Sequence, residues 1–466
     1  METIGFIGSL AGFLLYVIAP LALFLNAKIG TRFTALLGVI ISSAGLVGAA
    51  WSTEIWHLFL TYSVLFGVGA SLSTHPSFLL VGEYFPRNNK YHIAATSMEA
   101  IGGALGHVII QPLSEIFIQH YGWSTTFLIF GVTEFIVGTV TCATFRPCST
   151  SGNTETTALL DDSPEENSPI ESTELSPVDK TTKDANTFSS ESEKHVINEN
   201  HDNVDDKQMT PGTLPFNGYS ILMLFVVLWL IGCFSTSLAY YAHSIVIVKY
   251  MEKSLNIDSW RGALTIVWLG IGEIITRLVT CIFGDRIKGR LFWLYVFCNI
   301  ALVLDNVAGL SGRDFMHMSI FTSVMGLAAG PMWAAWYGAC GDVLFGQHIP
   351  LLFTLTRSMN GIGLGLGPLI AGVIYESTGS YRNVFFLNCG LYGAAAIFFL
   401  LLIILQRHLY PDYTYGGEYF NLAVKSDRKN NNAGTSNNTD DNSRPHIQMD
   451  PVLTLSSKKS PYEKLE

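Results

Sequence analysis

Charged residues are scarce: they make up 14% of the 466 residues, where soluble domains carry roughly 25%. The seven cysteines, Cys142, Cys148, Cys233, Cys281, Cys298, Cys340 and Cys389, lie mostly inside apolar stretches and show no CxxC spacing. That argues against a thiolate metal site and a disulfide framework, and packing thiols are the better reading. Residues 1–26 lack a basic leader, and their apolar run is too long for a cleavable signal peptide. Gly361-x-Gly363-x-Gly365-x-Gly367 has no following Lys-Ser/Thr pair and sits in an apolar run, so it is no phosphate loop. Small residues that let helices approach closely are the better reading. No nucleophile–base arrangement, metal cluster or nucleotide fold is visible either. These absences point away from an enzyme, a cofactor or a nucleic-acid partner.

What the chain has instead is long apolar runs. A helix needs about 20 mostly apolar residues to cross roughly 30 Å of hydrocarbon. Runs of that kind occupy 4–26, 33–52, 57–82, 93–118, 123–145, 218–243, 262–284, 291–310, 315–340, 350–375 and 383–406. Lipid offers the backbone no hydrogen-bond partner, so the runs must be helices; they also lack the period-2 alternation of strands. An all-α polytopic membrane protein with about 11 transmembrane helices is therefore expected.

The runs fall into a five-helix half, 1–146, and a six-helix half, 215–410. Between them lies a polar insert, 147–214, and after them a polar tail, 411–466. The insert holds fifteen acidic residues against four lysines, and the tail eight acidic against seven basic. The formal net charge of −10 thus belongs to these segments, not to the helical body. Their composition cannot bury enough apolar surface to offset ordering entropy, so both are expected to be disordered. One set of short loops carries Lys28, Arg32, Arg87, Lys90, Arg286, Lys288, Arg290 and Arg407. The opposite set carries Lys249, Lys253, Arg261, Arg313 and Arg382. The excess of eight over five places the insert and the tail in the cytosol and the N-terminus outside.

An internal repeat supports two related halves. Leu25-Asn26-Ala27-Lys28-Ile29-Gly30-Thr31-Arg32 follows the first run, and Phe283-Gly284-Asp285-Arg286-Ile287-Lys288-Gly289-Arg290 follows the seventh. Transporters built from two parallel halves show such symmetry; the alternative is two unrelated basic loops. Further markers are Tyr84-Phe85 with Arg87, then Ala94, Ala95, Gly102, Gly103 and Gly106, and Tyr121-Gly122-Trp123. The second half adds Glu273-x-x-x-Arg277, Asp342-x-x-x-Gly346, Gly367-Pro368-x-x-Ala371-Gly372 and Thr378-Gly379-x-Tyr381. In order and spacing these resemble the monocarboxylate transporters of the major facilitator superfamily, over about 4–146 and 215–410.

The resemblance implies two helical halves around a central cavity and a conformational loop motif at Lys28, Arg32, Asp285, Arg286 and Arg290. It also implies that the chain starts where the family's second helix starts, so the first helix and its lysine are missing. The family's usual Asp in the eighth helix is Glu273 here, and Glu99 stands in a Gly/Ser-type region. The partners it implies are a small organic anion, H+, the lipid bilayer and, in some members, a single-pass immunoglobulin-like ancillary glycoprotein.

Glu273 and Arg277 sit mid-run, four residues apart, about 40° around a helix and about 6 Å along it, so they share a face. A charge at mid-membrane costs roughly 2.5–3.5 kcal/mol, so both should face water or one another. An arginine fork fits a carboxylate in bidentate fashion, and a neighbouring carboxyl can exchange a proton. The resemblance assigns this position to binding of the substrate carboxylate; the alternative is a structural ion pair. Asp342 ends the ninth run; the resemblance implies an acid there that pairs with the arginine, and the alternative is a residue placed near a helix end with no such role. Trp336 and Tyr337 are candidates to line the substrate path. Glu99 and Asp305 join Glu273 as proton-coupling candidates. Glu134 and Arg357 are cavity-facing or paired.

The expected function is membrane transport of a small monocarboxylate or related carboxylated solute by alternating access, proton-linked or not, at the plasma membrane. The alternative is a transport-inactive or truncated receptor-like or regulatory protein of the same fold. A sugar or neutral-solute facilitator is disfavoured by Arg277. The loop charges predict that epitope tags placed in 147–214 and in 411–466 are both protected from external protease in intact cells. External cleavage within the insert would reverse the orientation.

Overall fold

The structure, a computed structural model, describes residues 2–146, 219–344, 346 and 348–409. The insert, the tail and Cys148, for which disorder and packing roles are expected above, lie outside these residues. Among the described residues every regular element is helical, as an apolar solvent demands of a spanning backbone.

Helices cover all eleven expected runs, with His92–Thr144 divided at Gly122. The first, α1, is a bent pair, Ile7–Val17 with Ala19–Ile29, turning by 43°. Pro20 sits in the first turn of its second piece and has no N–H for the carbonyl of Tyr16, which accounts for the break. Then come α2 (Thr31–Ala50) and α3 (Ile55–Tyr84). The stretch His92–Thr144 is helical except at Gly122, whose dihedrals, φ 78° and ψ 164°, are not. It is therefore two spans, α4 (92–121) and α5 (123–144). The second half contains α6 (Tyr219–Leu255), α7 (Ser259–Phe283) and α8 (Leu291–Gly309). It continues with α9, the pair Phe315–Ala334 and Trp336–Val343 bent by 54°, then α10 (Ile349–Thr378) and α11 (Arg382–Leu409). Pro331 lies in the last turn before the α9 bend and again removes a helical donor.

The glycine run in α10 does what close packing requires. A Cβ on Gly361 or Gly365 would run into Tyr16 or Phe13 of α1, and one on Gly363 or Gly367 into Ser237, Leu238 or Ala242 of α6. Alternate glycines thus seat α10 between a helix of each half. The second half has a dense aromatic core. Trp229 packs against Phe292, Tyr295 and Phe399 at centroid separations of 5.0–5.7 Å. Its indole N–H donates to Thr356 Oγ1 at 2.9 Å, which satisfies the one polar atom the ring carries into the core.

The turn between α4 and α5 and the turn between α10 and α11 each hold a glycine at positive φ, in different conformations: Gly122 at φ 78°, ψ 164° and Gly379 at φ 68°, ψ 6°. The Gly122 conformation is essentially confined to glycine, and holding another residue there costs about 1–3 kcal/mol. No described residue lies within 4 Å of a Cβ built at Gly122, so the cost there is conformational and not steric. Gly122→Ala should lower stability by about that amount, read as a fall in thermal midpoint of the purified protein in detergent. An unchanged midpoint would show that the turn relaxes.

Candidate functional site

Glu273 and Arg277 face one another on α7, as their spacing requires. Arg277 Nη2 lies 2.6 Å from Glu273 Oε2. Both are buried: Glu273 is 0% and Arg277 7% exposed. The other carboxylate oxygen, Oε1, accepts from the Tyr240 hydroxyl at 2.5 Å. His107 Nδ1 is 3.9 Å from Oε2. Arg277 Nη1 donates to the carbonyl of Ala100 on α4, so the guanidinium reaches from one half of the molecule to the other. Its Nε has no partner among the described residues. The pair is thus closed on itself, with a donor left over.

Aromatic side chains continue from this pair. Tyr240 meets Trp333 edge-on at 5.4 Å, Trp333 meets Trp336 at 5.4 Å, and Trp336 meets Phe353 at 5.7 Å. Tyr337 also packs on Phe353, at 5.0 Å. Trp336 therefore belongs to the aromatic row that starts at the ion pair, while Tyr337 lies behind Phe353, with its ring against Gly82 of α3.

The row ends at a residue whose importance a sequence reading does not reveal. Arg357 of α10 is 3% exposed. Its guanidinium carbon lies 5.0 Å from the ring centre of Tyr16, 5.1 Å from Phe78 and 6.0 Å from Phe353. The only sequence signal is a basic residue inside an apolar run; the three rings come from three helices. Glu99 is nearby and interacts electrostatically with Arg357. One Glu99 oxygen accepts from Ser77 at 2.5 Å, and the other has no partner among the described residues. Asp305 is not brought to this region: it is buried on α8, and the ionisable group it acts on is Tyr392 of α11.

Asp342 also departs from expectation. The acid expected to serve Arg277 pairs with Arg87 instead, Oδ1 to Nη2 at 2.7 Å. Its Oδ2 accepts from the backbone N–H of Leu291 at 3.3 Å. The reason is position. Asp342 is at the last turn of α9, at the end of the bundle where the α3–α4 loop also turns, whereas Arg277 lies about two turns inside α7. The loop motif gathers at the same end. Asp285 accepts from the backbone N–H groups of Ile93 and Ala94 at 2.9 and 3.0 Å. An acid of the second half thereby caps the start of α4, a helix of the first, where orphan donors and the helix dipole favour negative charge. Lys288 adds a bond to the carbonyl of Asn89 at 3.1 Å, and burial lowers its amine below the usual lysine range. Arg286 lies over the ring of Phe283 at 5.0 Å. In the first copy Lys28 and Arg32 stay exposed, and Ala27 stands where Asp285 stands in the second. The two copies are thus similar in sequence but only the second docks across the halves.

Comparison with known proteins agrees with this architecture. The family model described as Major Facilitator Superfamily matches residues 1–304 and 229–417. Among curated proteins, the chain is 21% identical to monocarboxylate transporter 3 of Gallus gallus over 377 residues, which is 80% of this chain and 66% of that protein. It is 23% identical to human monocarboxylate transporter 6 over 387 residues, 82% of this chain and 69% of that one. Human monocarboxylate transporter 7 is 23% identical over 434 residues, 86% of this chain and 78% of that one. In fold the chain is similar to the human organic anion transporter MFSD10 (TETRAN). The TM-score is 0.57 at 14% identity, over 85% of this chain and 83% of that one. The E. coli fucose:proton symporter FucP gives a TM-score of 0.57 at 11% identity, over 86% and 91%.

The Arg87–Asp342 bridge makes a separable prediction. Asp342 is 4% exposed at its side chain and Arg87 16%. Removing one partner of a buried pair costs about 3–5 kcal/mol, because the other is left unpaired. Arg87→Gln should therefore destabilise more than the double variant Arg87→Gln/Asp342→Asn, in thermal melts of surface-purified protein. Additive losses in the double-mutant cycle would show no coupling.

Proposed function

We propose that this chain, which belongs to the major facilitator superfamily, is a carrier of the monocarboxylate transporter type and moves a small monocarboxylate or related carboxylated solute by alternating access; its similarity to monocarboxylate transporters 3, 6 and 7 supports that reading. It is an integral membrane transporter and not an enzyme. The observation that carries the solute reading is the buried pair of Glu273 and Arg277 bridging the two halves.

The chemistry follows from the exchange of one carboxylate for another. In the empty site Glu273 neutralises Arg277. A solute carboxylate arriving at the guanidinium competes for the same fork, and two carboxylates beside one arginine leave an excess negative charge in low dielectric. Transfer of a proton to Glu273 removes that excess. The solute anion then pairs with Arg277, and the protonated Glu273 keeps the site neutral. Tyr240 can either donate to Glu273 or accept from it, so it serves both states. This links solute to proton one to one in the proposed cycle.

Passage requires the two ends of the bundle to open in turn. The end closed by Arg87–Asp342, the Asp285 cap and Lys288–Asn89 is the insert side, which the loop charges assign to the cytosol. Those bonds must break for that end to open. Plasma-membrane location accords with the resemblance and is part of the same proposal.

Arg277→Lys keeps the charge but loses the planar fork. Losing a charge-assisted hydrogen bond costs about 1.5–3 kcal/mol, so uptake affinity for a carboxylate should fall roughly ten- to a hundredfold. Glu273→Gln keeps the shape and removes the titrating proton, so it should flatten the pH dependence of uptake more than it changes affinity. Uptake of labelled carboxylates, normalised to surface protein and followed from about pH 5.5 to about pH 8, reads both effects. Full per-molecule activity of Arg277→Lys would reduce the pair to a structural brace.

A further inference from the structure

His107 of α4 is a partly exposed base beside a wholly buried acid. Its Nδ1 lies 3.9 Å from Glu273 Oε2, and the imidazole is 37% exposed where the Glu273 side chain is 0%. Nδ1 itself is buried and has no hydrogen-bond partner among the described residues. The exposure therefore lies on the rest of the ring, which carries Nε2. One nitrogen is turned toward the ion pair, and the remainder of the ring reaches out of it.

The backbone accounts for this placement. His107 lies in the π-helical turn Gly106–Ile110, and such turns, which re-aim side chains out of α-helical register, are frequent at functional sites. Here α4 and α7 pack closely: a Cβ on Gly270 would lie 2.9 Å from Val108 Cγ2 and 3.0 Å from His107 Cβ. Glu273 is about one turn further along α7, toward the insert-side end. His107 thus approaches the carboxylate from the side away from the bonds that close that end. Space beside it is open, since a Cβ on Gly106 would meet no described atom within 4 Å. Gly106 shares a face of α4 with Gly103, whose Cβ would lie 3.4 Å from Arg277 Nη1.

The two oxygens of Glu273 are not equivalent. The Tyr240 hydroxyl donates to Oε1, and Arg277 Nη2 donates to Oε2. A solute carboxylate that takes the guanidinium removes the partner of Oε2, the oxygen that His107 approaches. We infer that His107 is the residue through which Glu273 gains and loses its proton. Water protonates Nε2 of the ring; the Nδ1–H bond of the imidazolium then breaks, leaving its electron pair on nitrogen, and an O–H bond forms at Oε2. On release the steps run backwards and restore the ring. A separation of 3.9 Å in the empty site is compatible with this role, because proton-transfer contacts tighten when the solute is bound. The charged and titratable groups around His107 are Glu273 and Arg277 on α7 and, through Glu273, Tyr240 on α6. On its own helix Glu99 and Glu115 lie about two turns away on either side. The inference rests on the proton-linked reading of the Glu273–Arg277 site and names the positioning residue that serves it.

The test uses the full chain in proteoliposomes with labelled lactate, a monocarboxylate whose hydroxyl slows leakage of the free acid through lipid. Net uptake driven by an inward proton gradient requires Glu273 to be loaded and unloaded in every cycle. Exchange, with lactate on both sides at equal pH, returns the carrier with its proton still on Glu273. His107→Gln should lower the ratio of net uptake to exchange by about tenfold or more, while exchange itself stays within about twofold of wild type. The ratio is independent of how much protein folds. His107→Glu supplies another proton-carrying group and should bring the ratio back to within about threefold of wild type. A proton-driven wild type with an unchanged ratio in His107→Gln, or parallel loss of both modes in both variants, would overturn the inference and leave the Glu273–Arg277 reading standing. No proton-driven lactate uptake by the wild type would overturn the proton-linked reading and this inference together.

Discussion

A guanidinium in the middle of a bilayer cannot shed its proton and cannot find water, so something fixed must answer its charge. In this protein Glu273 answers Arg277 at 2.6 Å, and the position of neighbouring groups follows from that. Tyr240 occupies the other carboxylate oxygen, Ala100 presents a carbonyl to the other nitrogen, and His107 stands at the edge. A buried pair of this kind is weak evidence for stability, since desolvation consumes most of the attraction. Opening it with nothing in exchange leaves two uncompensated charges in low dielectric. The pair therefore resists hydration yet yields to another anion. That asymmetry is what a carboxylate carrier needs at its centre.

The remaining charges are sorted by depth. At the insert-side end, Arg87, Asp342, Asp285 and Lys288 tie the halves together through bonds to side chains and to the backbone of the start of α4. These groups lie near helix ends, where the polar interface lowers the cost of separating them. Deeper in, Arg277 and Arg357 meet carbonyl, carboxylate and aromatic partners. Bonds that must break and re-form in each cycle are placed where breaking is cheap. Bonds at mid-membrane are placed where only exchange is affordable.

Much of this is legible in the sequence because the bilayer enforces simple rules. The eleven apolar runs are all helical, even where a bend at Ile18 or Ala335 interrupts the helix. The Glu273–Arg277 contact is local, four residues on one helix, so helical geometry alone predicts it. The partner of Asp342 is not local: Arg87 is 255 residues away, and no periodicity connects them. The resemblance to a family supplied an acid at that position but misdirected it toward Arg277. Arg357 was visible only as a basic residue in an apolar run. Its setting depends on Tyr16, Phe78 and Phe353 arriving from α1, α3 and α10, which is a property of packing. The π-helical turns at Phe59–Phe66 and Gly106–Ile110 likewise have no signature in residue spacing.

The central claim is that a solute carboxylate displaces Glu273 from Arg277, and Gly103 gives direct access to it. A Cβ at Gly103 would lie 3.4 Å from Arg277 Nη1, so a cysteine there reports on the guanidinium itself. The decisive measurement is the rate at which a small positively charged thiol reagent labels Gly103→Cys in sealed proteoliposomes, with and without carboxylate. The account predicts saturable protection by a transported carboxylate, at concentrations near its uptake KM, and none by its uncharged amide. Labelling unchanged by a carboxylate that the same liposomes take up would place the solute elsewhere and contradict it.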